Sequence, residues 1–157
     1  MTQIFFRRWK ILAGAILVTS VISCSTASQS SPQQSEQQKA AQVVRDYYDA
    51  LGRKNYDRAY VTWRQDDEPN RESFEEFKQR FANTASISAE VGIPGEISAA
   101  ADTLVIRIPV LINATTRSGD REKSQGIYYL SRCTNVSRCS PLELSWRIGN
   151  RAVKRVE

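Results

Sequence analysis

Residues 43–63 read VVRDYYDALGRKNYDRAYVTW, and their apolar side chains recur at the spacing of two successive helices. In the first helix, apolar residues return every three or four positions until Gly52, a residue type that commonly ends helices. Ser35 and Gln38 fit a capping box upstream. In the second, a cap at Asn55 precedes a face of Tyr, Ala and Trp side chains. The stretch predicts a long helix from about residue 35 and a short one after it.

A third helix and a series of strands follow this pair. The third helix opens at a second capping box, formed by Ser73 and Glu76. From Ser86 onward the apolar period changes from about 3.6 to 2, which is typical of strands. Pro109, inside the longest run, indicates a bulge or an edge position. The predicted strands cover residues 86–91, 104–113, 123–132, 142–148 and 151–156.

Helices first and antiparallel strands after them indicate an α+β fold, with three N-terminal helices packed on one face of a mainly antiparallel sheet. The pattern resembles the nuclear-transport-factor-2-like superfamily in the stretch quoted above, in the Phe-rich third helix and in the final LSWRIGNRAVKRV. This similarity covers most of residues 36–157. It implies a curved sheet, a cystatin-like cone, wrapped around the long first helix. It also implies a conical pocket, which relatives use for small ligands, for homodimer formation or for no known purpose.

The same resemblance supplies candidate pocket residues. Ketosteroid isomerases and polyketide cyclases of that superfamily use Tyr and Asp in the pocket, often with His, which this chain lacks. Asp102 shares strand parity with Leu104, so its carboxylate could face an apolar pocket and act as a base; the alternative is a solvated strand end. Tyr47, Tyr60 and Trp63 are candidates for the pocket wall. Helical spacing predicts these three residues equally well as core.

Residues 1–23 have the features of an export signal. A basic leader precedes a run of 13 residues, Ile11–Ser23, which is shorter than the roughly 20 that a membrane-spanning helix needs. The run ends in Val21–Cys24, which resembles the bacterial lipobox. The resemblance implies cleavage before Cys24, acylation of its thiol and its new amino group, and a lipid anchor in the plasma or outer membrane, with the domain outside the cytoplasm. An uncleaved anchor and ordinary cleavage after Ala27 are the alternatives.

The remaining chain divides into a tether and one domain. Residues 24–34 are rich in Ser and Gln and predict a flexible tether, and residues 35–157 form the predicted domain. Cys133 and Cys139 are an even pair in an exported chain, which predicts a disulfide across a loop between two strands. Two free thiols are one alternative, and a metal site is another that lacks further ligands.

Composition limits the possible functions. The absence of His excludes Ser-His-Asp and Cys-His catalysis and imidazole-bound zinc. The net charge of +5 falls to +2 without residues 1–23, and no basic-aromatic motif indicates nucleic acid. We predict a non-catalytic binding module at the bacterial cell envelope, whose partners are the lipid bilayer and an envelope protein or a small apolar ligand, with no cofactor or metal. The alternatives are an isomerase-like or cyclase-like enzyme using a pocket Asp and Tyr, and a structural subunit of an envelope complex.

Overall fold

The computed structural model describes residues 31–63 and 72–156. Within these ranges the helices are α1 (Pro32–Gly52), α2 (Tyr56–Tyr60) and α3 (Phe74–Arg80), and the strands are β1 (Thr84–Val91), β2 (Ser98–Ala100), β3 (Thr103–Thr116), β4 (Arg121–Cys133) and β5 (Arg147–Arg155). The predicted signal, Cys24 and most of the predicted tether lie outside the described residues. None of the described helices is long and apolar enough to cross a membrane.

The first helix begins earlier than the sequence predicts. Ser31 is its N-cap, because the Ser31 hydroxyl accepts a hydrogen bond of 3.2 Å from the Gln34 N–H. Pro32 occupies the first turn, where the missing N–H needs no partner. The Ser35 N–H donates to the Ser31 carbonyl at 3.0 Å, so residue 35 is already helical. The helix therefore extends into the predicted tether.

The caps of the two short helices are confirmed. The Asn55 side chain accepts from the Arg58 N–H at 3.1 Å at the start of α2. At the start of α3, the Ser73 N–H donates to the Glu76 carboxylate at 2.7 Å, and the Glu76 N–H donates to the Ser73 hydroxyl at 3.3 Å. These local signals correctly placed both helix starts.

The strands form one curved, unclosed antiparallel sheet in the order β1, β3, β4, β5. The short β2, which the sequence did not predict, pairs with β3 on the same side as β1. Its three residues are all exposed and show no alternation of buried and exposed side chains. The α+β class is confirmed, with α1 packed against the sheet across a core that includes alternate residues of β3. The buried residues of β3 are Ile106, Ile108, Val110 and Ile112.

Pro109 lies at a local edge inside the sheet. β1 ends where Val91 pairs with Val110, and the pairing of β2 with β3 starts at Val105, so the two strands leave a gap beside Pro109. The Pro109 carbonyl accepts a hydrogen bond from Gly92 at 2.9 Å on that side. The missing N–H points to the same side, where no strand partner needs it. On its other side β3 pairs with β4 without a register shift, so the edge interpretation is confirmed and no bulge occurs.

The predicted strand at residues 142–148 is mostly a connection. The Leu144 N–H donates to the Ser140 carbonyl at 3.2 Å in a tight turn, and β5 begins only at Arg147. Leu142 is 57% exposed. Its alternation with polar residues therefore does not mark a buried strand face, and this prediction was wrong.

Candidate functional site

Aromatic rings centred on Tyr47 fill the described interior of the fold. Tyr47 is fully buried. Its ring centroid lies between 5.1 and 6.5 Å from those of Tyr48, Trp63, Phe77 and Tyr128. Three of these contacts are edge-to-face, a geometry that aromatic pairs prefer. The structure thus brings the predicted residues Tyr47 and Trp63 together, and Tyr47 is core as well as a potential pocket wall.

Two tyrosine hydroxyls meet inside this cluster. Tyr48 and Tyr128 share a hydrogen bond of 2.8 Å. The Tyr47 hydroxyl is closed to solvent and makes no hydrogen bond of ordinary geometry to a described residue, although the Trp63 indole N–H is a polar neighbour. Burial raises the pKa of Tyr47 and of Tyr48 far above the usual value of about 10. Both phenols therefore stay protonated at neutral pH and can donate hydrogen bonds, but they are not bases.

A bulge in β5 turns Arg151 toward these tyrosines. Leu130 pairs with Ile148, and Tyr128 pairs with Arg151. Tyr128 and Leu130 are two positions apart in β4, whereas Ile148 and Arg151 are three positions apart in β5. The β5 strand therefore carries one extra residue, at Gly149. Strict alternation from the buried Ile148 would place Arg151 on the outer face. The extra residue reverses that orientation, which is a common effect of bulges.

The Arg151 guanidinium lies among rings instead of carboxylates. Its central carbon is 5.5 Å from the centroid of the Trp63 ring. Burial lowers the pKa of Arg151, but the Tyr128 and Tyr47 phenols outweigh that effect and raise it, so the group stays charged. Within residues 31–63 and 72–156, no carboxylate lies within ion-pair distance of Arg151. A partly buried cation is costly unless an anion or several hydrogen bonds compensate it.

A second guanidinium lies close by on α3. The central carbon of Arg80 is 5.1 Å from the ring centroids of both Phe77 and Phe81, and its Nη2 is 2.9 Å from a Glu72 carboxylate oxygen. Its side chain is 33% exposed. Burial and then repulsion by Arg151 lower the pKa of Arg80. The two cations pack on rings that both contact Tyr47, Phe77 for Arg80 and Trp63 for Arg151. We define the arginine site as Trp63, Arg80, Tyr128 and Arg151.

Tyr60 lies beside the arginine site and not in it. Its ring centroid is 5.4 Å from those of Phe74 and Phe77. Its hydroxyl donates to the Glu72 carbonyl at 3.0 Å. This predicted pocket residue therefore links α2 to α3 and supports the site through Phe77.

Asp102 contacts the loop after β4, which corrects its prediction as a pocket residue. Its carboxylate is 45% exposed, accepts a hydrogen bond from the Asn135 side chain at 3.1 Å and lies 3.4 Å from Arg138. The preceding Ala101 has a φ of 49° and reverses the chain before β3 begins. The strand parity counted back from Leu104 therefore does not extend to Asp102.

Cys133 and Cys139 form the predicted disulfide. Their Cα atoms are 6.4 Å apart, and the bond closes a loop after β4. Asp102 supports the same loop, because its carbonyl accepts a hydrogen bond from the Thr134 N–H at 2.7 Å. The disulfide prediction is confirmed, and Asp102 belongs to this structural unit.

The carboxylates of the described residues are all at least partly exposed. In the ranges 31–63 and 72–156, no carboxylate is buried, and no three Cys, Asp or Glu side chains are grouped so that they could hold a metal ion. The sequence did not predict Tyr128, Arg80 or Arg151 as site residues. The available signal for Arg151 was the Gly149–Asn150 pair, which lies between two of the predicted strands.

Comparison with known proteins identifies the fold. No family model matches the chain, and no curated protein matches it in sequence. Among solved structures, a nuclear transport factor 2-like superfamily protein from Salmonella enterica has a TM-score of 0.55 at 11% identity, over 77% of this chain and 91% of that one. A ketosteroid isomerase-like protein from Erwinia carotovora has a TM-score of 0.52 at 16% identity, over 78% and 97%.

A conserved protein from Planctomyces limnophilus is also similar, with a TM-score of 0.56 at 16% identity over 78% of this chain and 98% of that one. This chain has the nuclear-transport-factor-2-like fold. Identities this low establish the architecture alone, so a function has to be argued from the arginine site.

Proposed function

We propose that this chain is a non-catalytic binding module, held at the bacterial cell envelope by a lipid anchor at Cys24, that binds a small ligand at the arginine site. The observation that carries the binding role is Arg151, a partly buried cation over the Trp63 ring with no carboxylate partner among the described residues. Burial removes part of the water that would stabilise this charge, so binding of an external partner stabilises the guanidinium.

An enzyme is the second candidate, favoured by the likeness to a ketosteroid isomerase-like protein. Its proton abstraction would require a base in the interior. Asp102 is half exposed and lies beside Arg138, and Tyr47 and Tyr48 are held in the protonated form. These placements support binding without catalysis.

The anchor rests on a separate observation, the resemblance of Val21–Cys24 to a lipobox at the end of an export-like apolar run. Two or three acyl chains on Cys24 would hold the domain stably at a bilayer. Export also agrees with the Cys133–Cys139 disulfide, because such bonds persist in oxidising compartments.

Fluorescence of N-phenyl-1-naphthylamine, a neutral aromatic probe, tests the binding role. Saturable enhancement is expected with the wild-type protein. Trp63→Leu should weaken binding several-fold, because stacking on the ring is lost. Trp146→Leu is the matched control, because Trp146 is also a largely buried tryptophan but is not part of the arginine site; its indole N–H donates to Glu36 at 3.1 Å. Absence of saturable binding, or equal loss in both folded variants, would reject the proposed site.

A further inference from the structure

We infer that the ligand of the arginine site carries a carboxylate, which Arg151 binds, next to an aromatic or aliphatic group that packs on Trp63. This inference rests on the binding function proposed above and specifies its substrate class. It depends on three observations: a second arginine-tryptophan pair in the same chain, the charge balance of the site and the orientation of Arg151.

The chain contains the same cation-ring arrangement twice, and one copy is complete. The Arg132 guanidinium carbon lies 5.7 Å from the Trp146 ring centroid, compared with 5.5 Å for Arg151 and Trp63. In the first pair, Glu36 supplies a carboxylate oxygen 3.0 Å from the Arg132 Nε. In the second pair, no described residue supplies one. A carboxylate from a ligand would complete the second pair in the same way.

The charge balance favours one negative charge. Among the described residues, the site combines the cations Arg80 and Arg151 with the single carboxylate of Glu72, which lies 2.9 Å from Arg80. One positive charge therefore has no ion-pair partner among the residues that the structure describes. A carboxylate carries one negative charge, whereas a phosphate monoester carries close to two at neutral pH.

The guanidinium is also held in a defined orientation. The bulge at Gly149 places Arg151 opposite Tyr128 on the inner face of the sheet, with its central carbon over the Trp63 ring. The planar fork of N–H donors of a guanidinium matches the two oxygens of a carboxylate. A strand holds this donor edge more rigidly than a loop would.

Calorimetry with three naphthyl compounds tests the inference on the purified protein. The probes are 2-naphthoate, its neutral isostere 2-naphthamide and 2-naphthyl phosphate. We expect 2-naphthoate to bind at least about tenfold more tightly than 2-naphthamide, because a hydrogen-bonded charge is involved. Arg151→Met should remove that preference and leave 2-naphthamide binding nearly unchanged. Arg138→Met, which removes an exposed arginine of the disulfide loop, is the matched control and should keep the preference.

Arg80→Gln is a second variant if Arg151→Met does not fold. It should reduce the preference less than about tenfold, because Glu72 already compensates Arg80.

Equal binding of naphthoate and naphthamide, equal effects of Arg151→Met and Arg138→Met, or a preference for 2-naphthyl phosphate would each overturn the carboxylate inference while leaving a binding module. Tighter 2-naphthoate binding by the triple variant Asp66→Asn, Asp67→Asn, Glu68→Gln would also overturn it, because the partner of Arg151 would then be the chain's own carboxylates. Failure of all naphthyl compounds to bind would instead reject the proposed function itself.

Discussion

Tyr47 and Tyr48 couple the stability of the fold to alkaline pH. Burial raises the pKa of both phenols because the phenolate would lose its hydration. Below about pH 10 both groups are protonated in the folded and the unfolded chain, and their contribution to stability is fully present. Above that pH the unfolded chain releases protons that the folded chain retains. The free energy of unfolding therefore decreases as the pH rises toward the raised folded values.

Replacing Tyr47 by Phe should reduce this alkaline sensitivity. Each such tyrosine contributes a slope of about 1.4 kcal/mol per pH unit above pH 10, so the variant should lose roughly half of the slope due to the pair. Tyr47 is suitable because its hydroxyl makes no hydrogen bond of ordinary geometry, and the bond between Tyr48 and Tyr128 is kept. Urea unfolding between about pH 8 and 11 measures the slope. An unchanged slope in Tyr47→Phe would contradict the assignment.

Individual site residues were predictable only where local spacing determined their position. Tyr47 and Trp63 follow from helical periodicity, and the structure places their ring centroids 6.0 Å apart. Arg151 did not follow from the sequence, because its orientation depends on an extra residue in β5 that only strand pairing reveals. Asp102 was misplaced for a related reason, since a turn at Ala101 breaks the parity on which its prediction relied.

Elements show the same division between local and non-local information. The caps at Asn55 and Ser73 were predictable because each lies within three residues of its partner. β2 was missed although it pairs locally with β3, because its exposed residues show no alternation, and the start of β5 was missed because it depends on pairing with β4. Alternation alone cannot separate a strand from an exposed connection, as Leu142 illustrates.

Gly126 controls how closely β5 approaches β4. A Cβ at this position would clash with the Ala152 carbonyl oxygen and lie 2.8 Å from the Val153 Cα. Because both are backbone atoms of β5, Gly126→Ala must displace that strand. We expect a loss of about 1 to 3 kcal/mol in the free energy of unfolding, measured by urea titration. Binding of 2-naphthoate should also weaken, since β5 carries Arg151.

Gly95→Ala is the matched control for this substitution. Its added Cβ would lie 3.4 Å from the Arg107 carbonyl oxygen, which is an ordinary contact. The free energy of unfolding should change by less than about 1 kcal/mol, because the alanine also restricts the unfolded chain. Equal stability of Gly126→Ala and Gly95→Ala would show that β5 is not fixed by this close approach.

Along the chain, α1 lies between the predicted anchor at Cys24 and the residues of the arginine site. Tyr47 follows Pro32 by fifteen residues, which corresponds to about 22 Å along a helix axis. The seven residues from Cys24 to Ser31 can span at most about 25 Å. Because α1 lies between them, anchoring and binding should be separable functions.

The general fold followed from the order of helices and strands, but sequence alone did not specify what the interior contains.

Cys24→Ser tests this separation and the predicted lipid anchor. The wild-type protein should sediment with membranes and incorporate labelled palmitate, because acyl chains on Cys24 would hold it there. The variant should lose the label and appear in the soluble fraction or as unprocessed precursor. The soluble form should bind 2-naphthoate within about twofold of wild type, because all four residues of the arginine site follow α1 in the chain. Cys133→Ser/Cys139→Ser, which removes the other two cysteines, should still incorporate palmitate.

A Cys24→Ser protein that remains labelled and membrane-bound would contradict the anchor, whereas loss of binding in a folded soluble form would show that anchoring and binding are coupled.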